Sequence, residues 1–333
     1  MTIIPEGYES RLSLYDTQRA VERIKYIFLA KLCTALHLVR VTAPLVVDPT
    51  TGMNDNLSGI ERPVSFDVLA TGKNAEVVQS LAKWKRYALR RYDFNMGKGL
   101  VCDMNAIRRD ETLDNLHSIY VDQWDWEKVI CEEDRTLEYL QDVVSRIVTA
   151  ICDTLDELKW HYPQLDVELD RKVTFVSAQE LEDLYPELAP QEREGRFVAD
   201  HHTTFIIGIG GALRSGRPHD SRSPDYDDWD LNGDLLFWDD VLGCALEASS
   251  MGIRVSPASL DQQLTIAGCD DRRKLPFHKM LLEGELPYTI GGGIGQSRLC
   301  MLLLGKAHVG EVQASVWDGE TVRTCQASGV QLL

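Results

Sequence analysis

The chain has 333 residues, 44% of them apolar and 26% charged. That composition excludes wholesale disorder, and the length suffices for one large domain or two ordinary ones. The 35 basic against 52 acidic side chains leave a net charge of −17, which repels phosphate backbones at long range and argues against a general nucleic-acid binder.

Val21, Ile24, Phe28, Leu32 and Ala35 recur at helical spacing and predict a helix over 17–36, capped by Asp16 or Thr17. Residues 38–43 read as a strand that Pro44 ends or places on an edge. The stretch 49–63 is rich in Gly, Asn, Asp and Pro and reads as a loop. A helix is predicted over 76–92, with Val77, Leu81, Trp84 and Leu89 as apolar points and Lys83, Lys85 and Arg86 as a basic cluster. Residues 118–124 alternate weakly toward strand. The longest helix is expected at 134–161, where Leu137, Leu140, Val144, Ile147, Ile151, Leu155 and Leu158 line one face. A short strand at 173–176 leads into helix signals from 177. The β-branched run 203–209 is broken by Gly208, Gly210 and Gly211. The acidic stretch 215–233 reads either as a linker or as a functional loop. Strand-like segments at 234–238 and 244–249 follow, then helices at 257–267, 275–283 and 298–305. There is no repeat and no regular βαβ alternation, so the pattern predicts a mixed sheet packed with helices.

The longest strong apolar run, Leu299 to Leu304, falls far short of the roughly 20 residues of a membrane span. No basic flank precedes an apolar stretch at the N-terminus, so no secretory signal is expected. The eight cysteines form no Cys-x-x-Cys pair and read as reduced thiols of a cytoplasmic protein.

Several clusters carry chemical potential. Gly291, Gly292, Gly293 and Gly295 precede Gln296, Ser297 and Arg298. The plain reading is a tight turn into a buried helix. The functional reading directs helical N–H groups and Arg298 at one phosphate or carboxylate. No Gly-Lys-Ser/Thr follows, so this is not a Walker A loop. Arg108, Arg109, Asp110 and Glu111 read as a solvated charged turn or as part of a site. On a strand, Gln123 and Asp125 would share one face and Asp122 and Trp124 the other. Burying either face demands polar partners or a ligand. Asp234 and Glu247 suit oxygen ligation of a divalent ion if their strands are neighbours. The fork of Arg254 could clamp a small carboxylate. Ser80 and Lys85, five apart on the predicted helix, reach one site only if that helix begins later. Asp55, between Asn54 and Asn56, has an ordinary reading as a turn-forming side chain. Neither His-Glu-x-x-His nor Gly-x-Ser-x-Gly occurs, so zinc-protease and serine-hydrolase signatures are absent.

The blocks at 54–59 (Asn-Asp-Asn-Leu-Ser-Gly), 80–86 (Ser-Leu-Ala-Lys-Trp-Lys-Arg), 117–127, 225–229 (Asp-Tyr-Asp-Asp-Trp), 231–234 (Leu-Asn-Gly-Asp), 249–254 and 291–298 closely resemble the A-type, ammonia-dependent asparagine synthetases, or aspartate–ammonia ligases. The resemblance spans nearly the whole chain. It implies an α+β fold: the class II aminoacyl-tRNA synthetase-like catalytic domain, a mainly antiparallel mixed sheet flanked by helices. It also implies a single domain over 1–333 that forms a homodimer. Residues 17–46, 108–127 and 291–304 resemble the three motifs of that class, the first at the dimer interface.

The resemblance further implies ATP and Mg²⁺, L-aspartate and ammonia as ligands, with no nucleic-acid or membrane partner and no appended tRNA-binding domain. Asp55, Arg108, Gln123 and Arg298 form the implied catalytic group. Arg108 would meet the α-phosphate and Arg298 the outer phosphates. Asp234 and Glu247 would hold Mg²⁺. Ser80, Lys85, Gln123, Asp125 and Arg254 would recognise aspartate, with Ser250 beside the substrate. Asp55 would stand where ammonium arrives. Arg109 replaces the proline of the usual bacterial version and the following loop is one residue shorter, so Arg108 and Arg109 both remain candidates for the α-phosphate contact. The stretch between Trp229 and Leu231 is also shorter than usual, which implies a trimmed surface loop.

Overall fold

A computed structural model describes the chain except for residues 56 and 58–60. In chain order the described residues form α1 (Leu14–Leu36), β1 (Leu38–Arg40), β2 (Val46–Val47), β3 (Ser65–Val68), β4 (Lys73–Val77), α2 (Ala82–Arg91), β5 (Gly99–Ile107), β6 (Tyr120–Val129) and α3 (Leu137–His161). They continue with β7 (Thr174–Ser177), α4 (Ala178–Leu184), α5 (Pro190–Val198), β8 (Thr203–Ile207), β9 (Asp227–Asp239) and β10 (Cys244–Arg254). The last elements are α6 (Pro257–Ile266), α7 (Pro276–Leu282), β11 (Thr289–Gly295), α8 (Gln296–Leu304) and α9 (Gly319–Ala327).

Eight strands make one sheet in the order β1-β5-β6-β11-β10-β9-β8-β7, and β2-β4-β3 make a small second sheet. The large sheet is antiparallel through its centre. Its two outer pairs, β1 with β5 and β7 with β8, are parallel. This is the α+β architecture expected, with helices against a mainly antiparallel sheet.

The core explains the long helices. Ile24, Phe28, Leu32 and Leu36 of α1 are fully buried, as are Ile147, Ile151 and Leu158 of α3. Both stripes join Trp124 and Trp126 of β6 in one apolar cluster. The Phe28 and Trp124 rings lie 4.8 Å apart, close enough for a specific aromatic contact beyond simple burial. Ser13 caps α1, not Asp16 or Thr17: its Oγ accepts from the Asp16 amide at 3.1 Å.

Four expected elements are redrawn. The helix predicted over 76–92 is split, with β4 ending at Val77 and α2 starting only at Ala82. The weak strand at 118–124 runs on to Val129 and pairs with β5, a strand without clean alternation because most of both its faces is buried. The polar stretch 215–233 is loop only as far as 226, because β9 begins at Asp227. Asp227 and Asp228 tolerate burial there because Arg254 pairs with the first and Arg135 with the second. The glycine cluster is neither turn nor loop but the strand β11. No helix of the described residues is long and apolar enough to cross a membrane.

Candidate active site

One row of paired residues crosses five strands: Cys102 on β5, Asp125 on β6, Gly293 on β11, Ser250 on β10 and Asp234 on β9. Residues opposite one another on neighbouring strands share a face. The sheet therefore carries Asp125, Ser250 and Asp234 on one side with a glycine between them. Gln123 lies on that side too, two residues along β6 and opposite Gly295. A register shift between Glu247 and Ser249 marks a bulge in β10. In a regular strand residues three apart face opposite ways. Here the bulge brings Glu247 round, and the Ser250 hydroxyl lies 3.2 Å from its Oε1 while also bonding Asp234.

The β11 glycines form the floor between these side chains. A Cβ at Gly293 would collide with Gln123 Oε1 and crowd Asp125 Oδ1 at 3.2 Å. A Cβ at Gly291 would collide with the Glu127 carboxylate and press on Arg254 Nη2 at 2.7 Å.

Above this floor lies a cleft of about 370 Å³. Asp55, Ser80, Lys85, Arg108, Gln123, Asp125, Glu247, Ser250, Arg254 and Arg298 all line it. Asp234 joins through its bond to Ser250. Because α2 starts at Ala82, Ser80 precedes the helix and accepts the Ala82 amide at 3.1 Å, while Lys85 enters from the first turn. Arg108 and Arg298, far apart in sequence, share this single cavity. Arg109 is exposed and does not line it, so of the two candidates Arg108 is the one that faces the cleft.

The cleft has two ends. At one, the fully buried Lys85 ammonium donates to Asp125 and, at 2.9 Å, to the Gly292 carbonyl. Arg254 is equally buried and reaches Glu127 through Nε and Nη2, at 3.0 and 2.9 Å, and Asp227 through Nη1. Its fork is thus held by the protein's own carboxylates. Glu127 is held in turn by the Thr289 hydroxyl at 2.7 Å. At the other end Arg298 donates to the carbonyls of Glu247 (3.1 Å) and Leu116 (3.3 Å) and lies 3.6 Å from Glu247 Oε2. Arg108 lies 3.9 Å from Glu111. The amide at the start of α8 does not point at an empty anion site. Ser297 N–H and Oγ donate to Asp122 at 3.1 and 2.9 Å, so a carboxylate already satisfies that helix end.

Arg222 is the residue that the sequence did not point out. It sits in the loop before β9, donates to Ser250 Oγ at 2.9 Å and to Asp234 Oδ1 at 2.5 Å, and lines the cleft. No spacing rule singles it out, because its partners lie on strands whose adjacency only the fold creates. Asp227 and Glu127 stand in the blocks at 225–229 and 117–127 but drew no role of their own, for the same reason.

Electrostatics follow from burial. Burial raises the Asp234 carboxyl above the usual carboxylate range, Arg222 opposes this and neighbouring Glu247 adds to it. Desolvation also opposes ionisation of the partly exposed Glu247, yet Arg298 and Arg222 hold its carboxyl below the ordinary value. Burial pushes Asp55 up, with Lys83 opposing and Asp225 reinforcing. Asp55 Oδ1 accepts the Leu57 amide at 3.1 Å. Asn54 pins this loop to the small sheet by donating to Glu76 at 2.9 Å and accepting the Gln79 amide at 2.9 Å. Residues 56, 58 and 59 of the block around Asp55 lie outside the described residues.

Asp55 Oδ2, Asp125 Oδ2, Arg108 Nε and Arg222 Nε are buried without a hydrogen-bond partner, and all four residues line the cleft. Buried polar atoms are nearly always paired, so unpaired groups of both charges around one cavity fit a polar ligand bearing both. Among the described residues no group of three or more His, Cys, Asp or Glu could hold a metal. Asp234 and Glu247 supply two carboxylates meeting at Ser250. That set suits a hard divalent ion whose other ligands come from phosphate and water.

Residues 15–329 match the family model described as aspartate-ammonia ligase. Among curated proteins, the aspartate–ammonia ligases of Lactobacillus johnsonii and Clostridium perfringens (strain 13 / Type A) are each 56% identical to the chain. The alignments cover 99% of this chain with 99% and 98% of those proteins, respectively. Among solved structures, asparaginyl-tRNA synthetase of Entamoeba histolytica in complex with asparaginyl-adenylate superposes with a TM-score of 0.66 at 14% identity. It covers 90% of this chain, which spans 66% of that synthetase. The Pyrococcus horikoshii asparaginyl-tRNA synthetase complexed with asparaginyl-adenylate gives 0.65 at 14% identity, over 91% of this chain and 70% of that one. At such identities the likeness speaks for the fold alone.

Proposed function

Because this chain belongs to the aspartate–ammonia ligase family, we propose that it amidates the β-carboxylate of L-aspartate with ammonia. The reaction would consume ATP, pass through a β-aspartyl-adenylate, and yield L-asparagine, AMP and pyrophosphate. The observation that carries the reading in this chain is the meeting of Arg108 and Arg298 in one cleft with the Lys85–Asp125 and Arg254–Glu127–Asp227 clusters.

The chemistry asks for two steps. A carboxylate resists amines because oxide is a poor leaving group, so one β-carboxylate oxygen first attacks the α-phosphorus of ATP. A carboxyl–phosphate bond forms, the α–β phosphoanhydride bond breaks and pyrophosphate leaves. Arg108 would steady charge on the α-phosphate and Arg298 on the departing phosphates, without rearranging during the step. Lys85, Ser80, Gln123, Asp125 and Arg254 would hold aspartate, the cationic groups toward its carboxylates and Asp125 toward its ammonium. Arg254 would keep Glu127 and Asp227 as its fixed partners and present its remaining edge to the substrate. Ser250 would sit beside the substrate. Asp234 and Glu247 would hold Mg²⁺, which when bound supplies charge neutralisation for the phosphates.

In the second step ammonium must lose a proton before it can attack. Asp55 would attract the cation and accept that proton, and its raised pKa favours the transfer. Ammonia then attacks the β-carbonyl carbon, its nitrogen gives up a second proton to water, the carbon–oxygen bond to AMP breaks, and the amide forms. We further read the protein as one catalytic domain working as a cytoplasmic homodimer. Exposed Tyr15 and Tyr26 on α1 and Val39 on the edge strand β1 support an apolar contact between two copies.

The test is an assay with purified protein, aspartate, ammonium, Mg²⁺ and ATP labelled at the α-phosphate. AMP and asparagine that depend on both aspartate and ammonium are expected. ADP in place of AMP would replace the adenylate by a phosphorylated intermediate.

A further inference from the structure

Asn115 lies in the connection between β5 and β6, beside Leu116, whose carbonyl accepts from Arg298 Nε. Asn115 does not line the cleft, whereas Leu116, His117 and Val309 around it do. Its buried side chain is fully used. Nδ2 donates to the Ile3 carbonyl at 2.7 Å and to the Ala307 carbonyl at 2.6 Å, while Oδ1 accepts the Ile3 amide at 2.9 Å. Its main-chain carbonyl accepts the Val309 amide at 2.8 Å. The amide side chain thus pairs both ways with Ile3, as one backbone residue pairs with another across a ladder. Three segments distant in sequence meet at this residue: the N-terminal arm, the loop that starts at Arg108 and the turn after α8.

The arm is itself anchored to that turn and to α9. The Thr2 hydroxyl bonds Thr321 Oγ1 at 2.9 Å, the Tyr8 hydroxyl donates to Glu311 at 3.0 Å, and Lys306 Nζ donates to Ser10 Oγ at 2.6 Å. Among the described residues the loop's other side-chain ties outside itself include those from the exposed Arg62 to Asp110, between the Ser118 and Ser315 hydroxyls, and from Arg298 to the Leu116 carbonyl. Among the described residues, only the tie at Asn115 binds the loop to both other segments. It does so one residue from the carbonyl that holds Arg298.

We propose that Asn115 is a positioning residue, through which the N-terminal arm fixes the Arg108 loop and the Arg298 guanidinium for the triphosphate. This rests on the ATP reading above. Without the tie, the connection must be ordered at the moment of binding, and that entropy is taken from nucleotide affinity. The aspartate end stands on α2, β6, β10 and β11 and owes nothing to the arm.

The experiment compares wild type with Asn115→Ala, Ile3→Pro and the double variant. Ile3→Pro removes the amide that Oδ1 accepts, at a residue whose side chain is exposed. KM for ATP and for aspartate are measured in AMP formation, together with aspartate-dependent ATP–pyrophosphate exchange. Each single variant should raise KM for ATP about tenfold, the scale of one or two lost hydrogen bonds, and leave KM for aspartate within about twofold. The double variant should be no worse than Asn115→Ala, because both cut one connection. An unchanged KM for ATP, a parallel rise in both KM values, or multiplied effects in the double variant would overturn the proposal. Should Asn115→Ala not fold, Ile3→Pro alone decides by the same split in KM. Wild type without aspartate-dependent AMP would overturn the ligase reading and the inference together, whereas an active wild type with unmoved variants overturns the inference alone.

Discussion

Arg108 and Arg109 are neighbours in sequence and opposite in placement. The first lines the cleft with an unpartnered buried Nε, and the second is exposed. Arg108→Ala is therefore expected to reduce kcat/KM for ATP by 100-fold or more, about 2.7 kcal/mol of transition-state stabilisation. Arg109→Ala should stay within about twofold, which steady-state AMP formation would check. On the proposed mechanism, Asp55→Asn should spare ATP–pyrophosphate exchange more than asparagine formation, since only the second step would use its proton acceptance. Equal loss of both would remove that role. Away from the cleft, burial lowers the His308 pKa from 6.5 to about 4. The unfolded chain then takes up this proton first as pH falls. The contribution of His308 is complete above about pH 6.5 and declines toward pH 4, by up to about 3 kcal/mol. His308→Asn should flatten that part of the stability profile in urea titrations between pH 7 and 4.5. The residues legible beforehand were those in rare blocks, such as Ser80 with Lys85 or Gln123 with Asp125. Arg222 was not legible, since its role exists only where β9 and β10 lie side by side.

At the level of elements, α1 and α3 were plain because one apolar stripe repeats through each. The glycine strand was not. A run without side chains has no alternation to detect, and what makes Gly291 to Gly295 a strand is the pairing of β11 with β6 and β10. The same holds for β9, whose acidic start resembles a loop until Arg254 and Arg135 reach it. The split of the 76–92 segment was hinted at only by the need for Ser80 and Lys85 to meet. Since β11 is a floor, Gly293→Val should displace the Gln123 amide while leaving the sheet paired, because the obstructing Oε1 ends a flexible side chain. The expected result is a KM for aspartate raised at least tenfold, with little change in the urea midpoint. A cooperative loss of stability instead would mean that the floor cannot yield.

For the molecule as a whole, the net charge of −17 would oppose its anionic substrates were the cations not gathered in the cleft. If α1 and β1 carry the contact between two copies, Tyr26→Glu should bury a charge at their junction. Light scattering should then show a shift from twice the protomer mass toward the protomer, and an unchanged mass would exclude Tyr26 from the contact. The row running from Asp125 through Gly293 and Ser250 to Asp234 has a further consequence. Neighbouring strands stand about 4.8 Å apart, and the spacing is set by backbone hydrogen bonds that no ligand can stretch. On the proposed seating, the sheet would act as a ruler between amino-acid and nucleotide seats. Glutamate carries the same charges as aspartate on a side chain one methylene longer. Its reacting oxygen would overshoot by about an ångström, enough to cost on the order of 100-fold in rate. Discrimination between the two acids would then come from length, with no dedicated repulsive group.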